Sequence, residues 1–235
     1  MVRWLLASIV VLATVGRAAA EPATVAVMYF DYDGKDADLA MLRKGLAQML
    51  ISDLVATPAI RVVERDRLQE ILGELKLQAT SKIDAASAVK AGKLLGARYL
   101  VVGGYFDVLK QFRADARVVD VETGKVMFSS GATGKPDDFL TLEQKLAGEL
   151  NTYFATSIPP VKAPVRAPVK APVKASVAPP APPARLKAST VIAYGKALDA
   201  LDAGDKKLAQ QRLATVVKDQ PDFRLAQLDV DKLMK

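Results

Sequence analysis

The chain has 235 residues, 51% of them apolar, a formal net charge of +7, and neither cysteine nor histidine. The missing thiol and imidazole exclude disulfides, thiol or imidazole catalysis and the usual zinc ligands, so an enzyme would have only carboxylates, Lys, Tyr or Ser. The charge is uneven: residues 158–187 carry six basic and no acidic residues, whereas residues 21–157 carry 17 basic and 19 acidic, which leaves the folding parts near neutral and gives no basic face for nucleic acid.

The first twenty residues read as an export signal. Arg3 supplies a positive start, Trp4 to Val15 an apolar run, and Ala18-Ala19-Ala20 a small-residue cleavage site before Glu21. The run is short for a membrane span. The expectation is a mature chain from Glu21 in the periplasm, without a lipid anchor because there is no cysteine to carry one.

Thr24–Phe30 is apolar throughout, as a strand covered on both faces would be. Leu39, Leu42, Leu46, Leu50 and Leu54 then recur at helical spacing, predicting a helix over 38–56 that Pro58 closes. Ile60–Val63 reads as the next strand. Asp66, with Gln69 three residues on, reads as the cap of a helix buried through Leu68, Ile71, Leu72 and Leu75. Asp84 caps another helix, which Gly96 ends. Strand, helix, strand, two helices, strand is a crossover pattern, so the early strands are expected to pair in parallel.

Two hairpins follow. Tyr99–Leu109 is almost continuously apolar, which suits a strand buried on both faces, and from Phe112 the chain alternates: Phe112, Ala114, Ala116 and Val118 against Arg113, Asp115 and Arg117. Glu122-Thr123-Gly124 turns the chain into Lys125–Ser130. Pro136 and Asp137 start a helix with Phe139, Leu142, Leu146, Leu150 and Phe154 on one face. The fold class is therefore α/β, a mixed sheet with helices packed on it, over residues 21–157.

Residues 158–187 are low in complexity. The unit Pro-Val-Lys-Ala begins at Pro160 and recurs at Pro164, Pro168 and Pro172, with Arg166 replacing one lysine. Such a segment favours extended polyproline II and acts as a semi-rigid spacer, about 3.1 Å per residue. Residues 188–235 form a small all-α tail: one helix to Ala203, a break at Gly204, a second helix to about Asp219 and a turn at Pro221. Ala197, Ala209 and Pro221, twelve residues apart, match the small, small and proline positions of one tetratricopeptide repeat. A lone repeat leaves its faces incompletely covered, so the tail is expected to dock or to be marginal.

In this order and spacing, Val25–Phe30, Val62-Val63-Glu64-Arg65, Ala91–Ala97 leading into Tyr99–Gly103, Arg117–Val121 and Thr123-Gly124-Lys125 resemble the curli-secretion channel family (CsgG-like) and the related amino-terminal domain of TolB. The resemblance covers about residues 24–155 and implies a cell-envelope protein with a periplasmic α/β domain and no enzymatic activity. The channel family is a lipoprotein ring with long membrane hairpins. Here only Lys110-Gln111 separates two of the strands, and no long insertion follows Ser130, too little for a spanning hairpin.

The site-like features are modest. Asp31, Asp33, Asp36 and Asp38 suggest a calcium loop, but Gly34 comes too early and Leu42 stands where a bidentate Glu is needed, so acids near a helix N-terminus explain them. Gly103-Gly104 lacks phosphate-loop spacing and points to close backbone packing. Glu64, Arg65 and Arg67 form a candidate interaction patch. Lys162, Arg166, Lys170 and Lys174 are candidate contacts for cell-wall polyanions, lipid headgroups or a protein partner, or serve solubility alone. No cofactor, metal or catalytic residue is expected. The leading reading is a non-catalytic periplasmic adaptor or assembly protein, with envelope proteins as partners of the α/β domain and of the tail, and with room for homo-oligomers. Alternatives are a regulator of peptidoglycan synthesis like the activator LpoB, whose similar domain follows a disordered stretch, and a ring-forming accessory of a secretion channel.

Overall fold

The computed structural model describes residues 21–77, 84–108, 111–135, 138–158 and 186–234. The expected export signal, the proline-rich spacer and the helix start at Pro136 and Asp137 lie outside these residues. Within them, β1 (Ala23–Val27), β2 (Asp31–Tyr32), α1 (Leu42–Leu54), β3 (Ile60–Val62), α2 (Arg65–Glu74), α3 (Ala85–Leu94), β4 (Tyr99–Val108), β5 (Gln111–Asp120), β6 (Val126–Gly134) and α4 (Phe139–Ser157) form an α/β domain. The helices α5 (Ala188–Asp202), α6 (Lys206–Asp219) and α7 (Arg224–Leu233) follow. The sheet order is β3-β1-β4-β5-β6, with β2 also paired to β4. β1 pairs in parallel with β3 and with β4, and the two hairpins add the antiparallel strands β5 and β6. The expected crossover is therefore present, and the sheet is mixed.

Strand alternation decides what each face receives. Phe112, Ala114, Ala116 and Val118 of β5 are buried, and α4 covers them: the Phe139 ring meets Phe112 edge-on at 5.8 Å, and Leu142 lies 3.1 Å from where a Cβ on Gly134 would stand. On the opposite face, α3 brings Gly92 against Leu100 and Val121. That cover is short. Leu100 is buried there, but Val102 and Phe106 on the same face are only half-buried, so β4 is not covered on both faces along its whole length as its composition suggested. Arg113 and Arg117 remain in solvent on this open side.

Several local expectations change. The helix over 38–56 resolves into a 3-10 turn at Leu39–Met41 and then α1. Asp66 does not cap α2. Glu64, extended at φ −62° and ψ 143°, is the capping position, and Asp66 lies inside the first turn, where its charge favours the helix N-terminus. The strand read as Lys125–Ser130 begins at Val126 and continues to Gly134, with an irregularity opposite Val118/Val119. Other signals carried over directly. Asp84 accepts a hydrogen bond from Ser87 N, and Gly96, Gly124 and Gly204 all take positive φ where a helix or hairpin turns. Gly103 faces the Phe30 ring and the Asp115 carbonyl so closely that a Cβ would overlap both, which is the close packing its sequence context suggested.

One buried residue breaks the apolar pattern of α4. Glu143 is 1% exposed, and its Oε1 has no hydrogen-bond partner among the described residues. Burial, and next the charge of Asp53, push its carboxyl well above the ordinary carboxylate range. A raised folded value means that below the unfolded value of about 4.3 both states hold the proton and nothing is lost. As pH rises beyond that, the unfolded chain releases a proton that the folded chain retains, and stability falls. Glu143→Met is therefore expected to raise stability near neutral pH by about 1–3 kcal/mol and to flatten its decline. Urea midpoints between pH 4.5 and 8 check this. Asp53, itself raised by burial, leaves a residual slope.

Candidate functional site

The most unusual chemistry lies where α5 crosses α1. Lys44 and Arg65 are cations of the α/β domain with side chains only 8% and 7% exposed. Lys44 sits on α1 between Arg43 and Gly45, with its ammonium 5.6 Å from the centre of the Tyr29 ring. Arg65 opens α2. Both reach Asp202 at the end of α5: Lys44 Nζ donates to Oδ2 at 2.6 Å, and Arg65 Nη1 to Oδ1 at 2.6 Å. Lys44 also pairs with Asp199 at 2.5 Å, and Arg65 with Asp66 at 2.8 Å. Asp202 is 8% exposed at its side chain, so the three charges are paired out of water, the condition under which a pair is costly to break.

The electrostatics follow from that burial. Burial works against the Arg65 charge, but Tyr29 and Asp202 outweigh it and hold the guanidinium above its ordinary value. Tyr29 is raised by burial, against the opposing charge of Arg65, and its hydroxyl donates to Gln69 Oε1 at 2.9 Å. Tyr194 of α5, fully buried, donates to Asp229 Oδ2 of α7 at 2.6 Å. Burial raises both groups of that pair. At the rim, Lys196 reaches Asp38 at 2.7 Å.

Backbone proximity makes this geometry possible. A Cβ on Gly195 would overlap the Met41 carbonyl oxygen, and one on Gly45 would stand 3.0 Å from the Val191 carbonyl oxygen and against its side chain. Two glycines thus let α1 and α5 approach closely. Beside the ion network a cleft of about 610 Å³ opens between α2, α5 and α7, lined by Arg65, Gln69, Gly73, Asp202, Asp229 and Lys232 among others. The charged groups pair with one another across the seam, an arrangement suited to docking.

The residues singled out from sequence do not stay together. Glu64 is exposed at the start of α2, and Arg67 is exposed and paired with Glu70 at 2.7 Å. Arg65 turns the other way, into the seam, so the three are not one surface patch. Lys162, Arg166, Lys170 and Lys174 lie outside the described residues. Asp36 of the acidic run accepts from Asp38 N and Leu39 N at the 3-10 turn, and Asp31 pairs with Arg43 at 3.5 Å. No group of ligands suited to a metal occurs among the described residues, and none of the described helices is long and apolar enough to cross a membrane. Sequence reasoning missed Lys44, Asp199 and Asp202. The one available signal was their helical spacing: Gly195, Asp199 and Asp202 fall at i, i+4 and i+7, on one face.

Several solved structures are similar at low identity. The LpoB C-terminal domain from Salmonella enterica is 12% identical, covering 51% of this chain and 87% of that one, with a TM-score of 0.42. Lipoprotein GNA1162 from Neisseria meningitidis is 16% identical, covering 58% of this chain and 100% of that one, also at 0.42. A PelC dodecamer from Paraburkholderia phytofirmans is 16% identical, covering 59% of this chain and 86% of that one, at 0.32. No curated protein matches. Residues 17–112, which contain β1 to β4 and α1 to α3, match the family model of the curli production assembly/transport component CsgG, so that part of the chain is similar to a family of envelope proteins.

Proposed function

We propose that this is an exported, non-catalytic adaptor of the cell envelope, whose α/β domain docks on an envelope assembly while the C-terminal helices offer a second contact. The observation that carries the reading is the match of residues 17–112 to the curli assembly and transport family. The open side of the sheet, with Arg113 and Arg117 exposed, and the exposed Leu228 and Met234 around α7 are two separate surfaces for two partners. The tail acts as one tetratricopeptide-like repeat, a reading supported by the buried Ala197 and Ala209 of α5 and α6 and by Pro221 between α6 and α7. The bases Lys162, Arg166, Lys170 and Lys174 hold the intervening segment near anionic envelope polymers.

Site-specific photo-crosslinking in cells tests this. A crosslinker at Arg117 and one at Leu228 are expected to trap two different envelope proteins. One shared adduct at both positions, or none at either, would reject a two-ended adaptor.

A further inference from the structure

The two edges of the sheet are guarded differently. β3, at one end of the strand order, is three residues long, whereas β6, at the other end, runs for nine. Its sequence, VMFSSGATG, holds neither the proline nor the charge that commonly blunts an edge, and the irregularity in its ladder lies at its first residues. Beyond the ladder with β5, no backbone group of β6 makes a hydrogen bond among the described residues. Val126 and Met127 are 56% and 48% exposed. A bare row of N–H and C=O groups of this length is a template for one more strand.

The surroundings of β6 say which strand fits. Lys125 and Lys135 stand just outside its two ends, both exposed and both without an ion pair among the described residues. Aligned end to end and antiparallel with β6 of a second copy, each Lys125 would meet a Lys135, and like charges opposite one another disfavour pairing. A carboxylate at each end of the incoming strand reverses that sign. The two faces differ as well. Towards α4, the half-buried Phe128 and Tyr153 rings stack at 4.7 Å, a shelf for apolar side chains. Towards the open side, Ser129 and Thr133 are exposed beside Arg117 and Arg113, which suits polar ones. Successive side chains of an added strand project to these two faces in turn.

We propose that β6 is a docking edge for an extended segment of a partner protein: a strand of the length of β6, alternating apolar and polar, with an acidic residue at each end. Main-chain hydrogen bonds supply the affinity, and Lys125 and Lys135 supply the choice of partner.

Fluorescently labelled peptides of that length, alternating valine and threonine, test it against the purified protein by anisotropy. The peptide ending in glutamates is expected to bind at micromolar concentrations, and the one ending in lysines about tenfold more weakly. K125E/K135E is expected to invert that preference and K125A/K135A to erase it. Both lysines are exposed and lie outside the strand, so circular dichroism is expected to show these variants folded like the parent. N-methylation along the glutamate peptide removes its main-chain donors and is expected to abolish binding. Equal binding of the two peptides, binding that survives N-methylation, or no binding to the folded protein would each overturn the proposal. So would a concentration-dependent dimer of the protein alone that the glutamate peptide dissolves, because the edge would then belong to a second copy. These outcomes do not depend on which proteins crosslink at Arg117 and Leu228, so the edge and the two-partner reading fail separately.

Discussion

Asp202→Ala is expected to destabilise the folded chain by about 3–5 kcal/mol, the range for breaking a buried ion pair by removing one partner. The carboxylate is the ion-pair partner that Lys44 and Arg65 share, at 2.6 Å from each. Without it the ion pairs left among the described residues are Arg65 with the exposed Asp66 and Lys44 with Asp199, which is 40% exposed, and Arg65 also keeps a 3.5 Å hydrogen bond to the Tyr29 hydroxyl. That residual pairing places the effect toward the lower end of the range. Asp199→Ala supplies the contrast: because water already screens that carboxylate, its loss is expected to cost under about 1 kcal/mol. Urea unfolding followed by far-ultraviolet circular dichroism measures both. Equal effects would mean that burial does not govern this network. The triple change Lys44→Met, Arg65→Met and Asp202→Leu is expected to recover most of the loss, since apolar residues that remove all three charges leave none uncompensated.

Gly195→Leu is expected to open the seam altogether, with a loss of about 3 kcal/mol, at the upper end of overpacking. Backbone oxygen is the obstacle: the Met41 carbonyl stands where the Cβ must go, and a carbonyl at the entry to α1 moves only if α1 moves. Even Gly195→Ala is expected to destabilise, although alanine favours a helix interior by roughly 1 kcal/mol over glycine. Gly148 in α4 isolates that propensity term. A Cβ there meets nothing within 4 Å, so Gly148→Ala is expected to stabilise by about 0.5–1 kcal/mol. Thermal melts of the two alanine variants should therefore move in opposite directions. If both rise, the close crossing is not sterically required.

Most of the sheet was legible because its information is local. Alternation from Phe112 to Val118, the Asp84 cap, the glycine turns and the leucine spacing of α1 and α4 each reflect neighbours a few residues apart. The parallel pairing of β1 with β3 and β4 followed from the crossover pattern. The short β2 pairing with Gly104 and Tyr105 left no such trace, being two residues long. Burial of charge was equally invisible. Arg65 looked like a surface base because its helix is polar on average, and only the arrival of α5 makes it a buried one. Glu143 was hidden for the opposite reason. It lies beside Leu142 and Leu146 on a face whose apolar residues announce burial, but nothing in sequence spacing says that a glutamate between them is enclosed as well.

The span between Lys44 and Asp202 also sets an order of events. A chain that emerges from its amino terminus presents α1 and α2 with their two cations well before residue 202 is available, and contacts of such long sequence separation form slowly. Until then these two cations lack the carboxylate that pairs them, and this side of α1 lacks the cover of α5. Closure of the seam waits for α5, and a product truncated before Asp202 would present a basic surface that the 235-residue chain keeps covered.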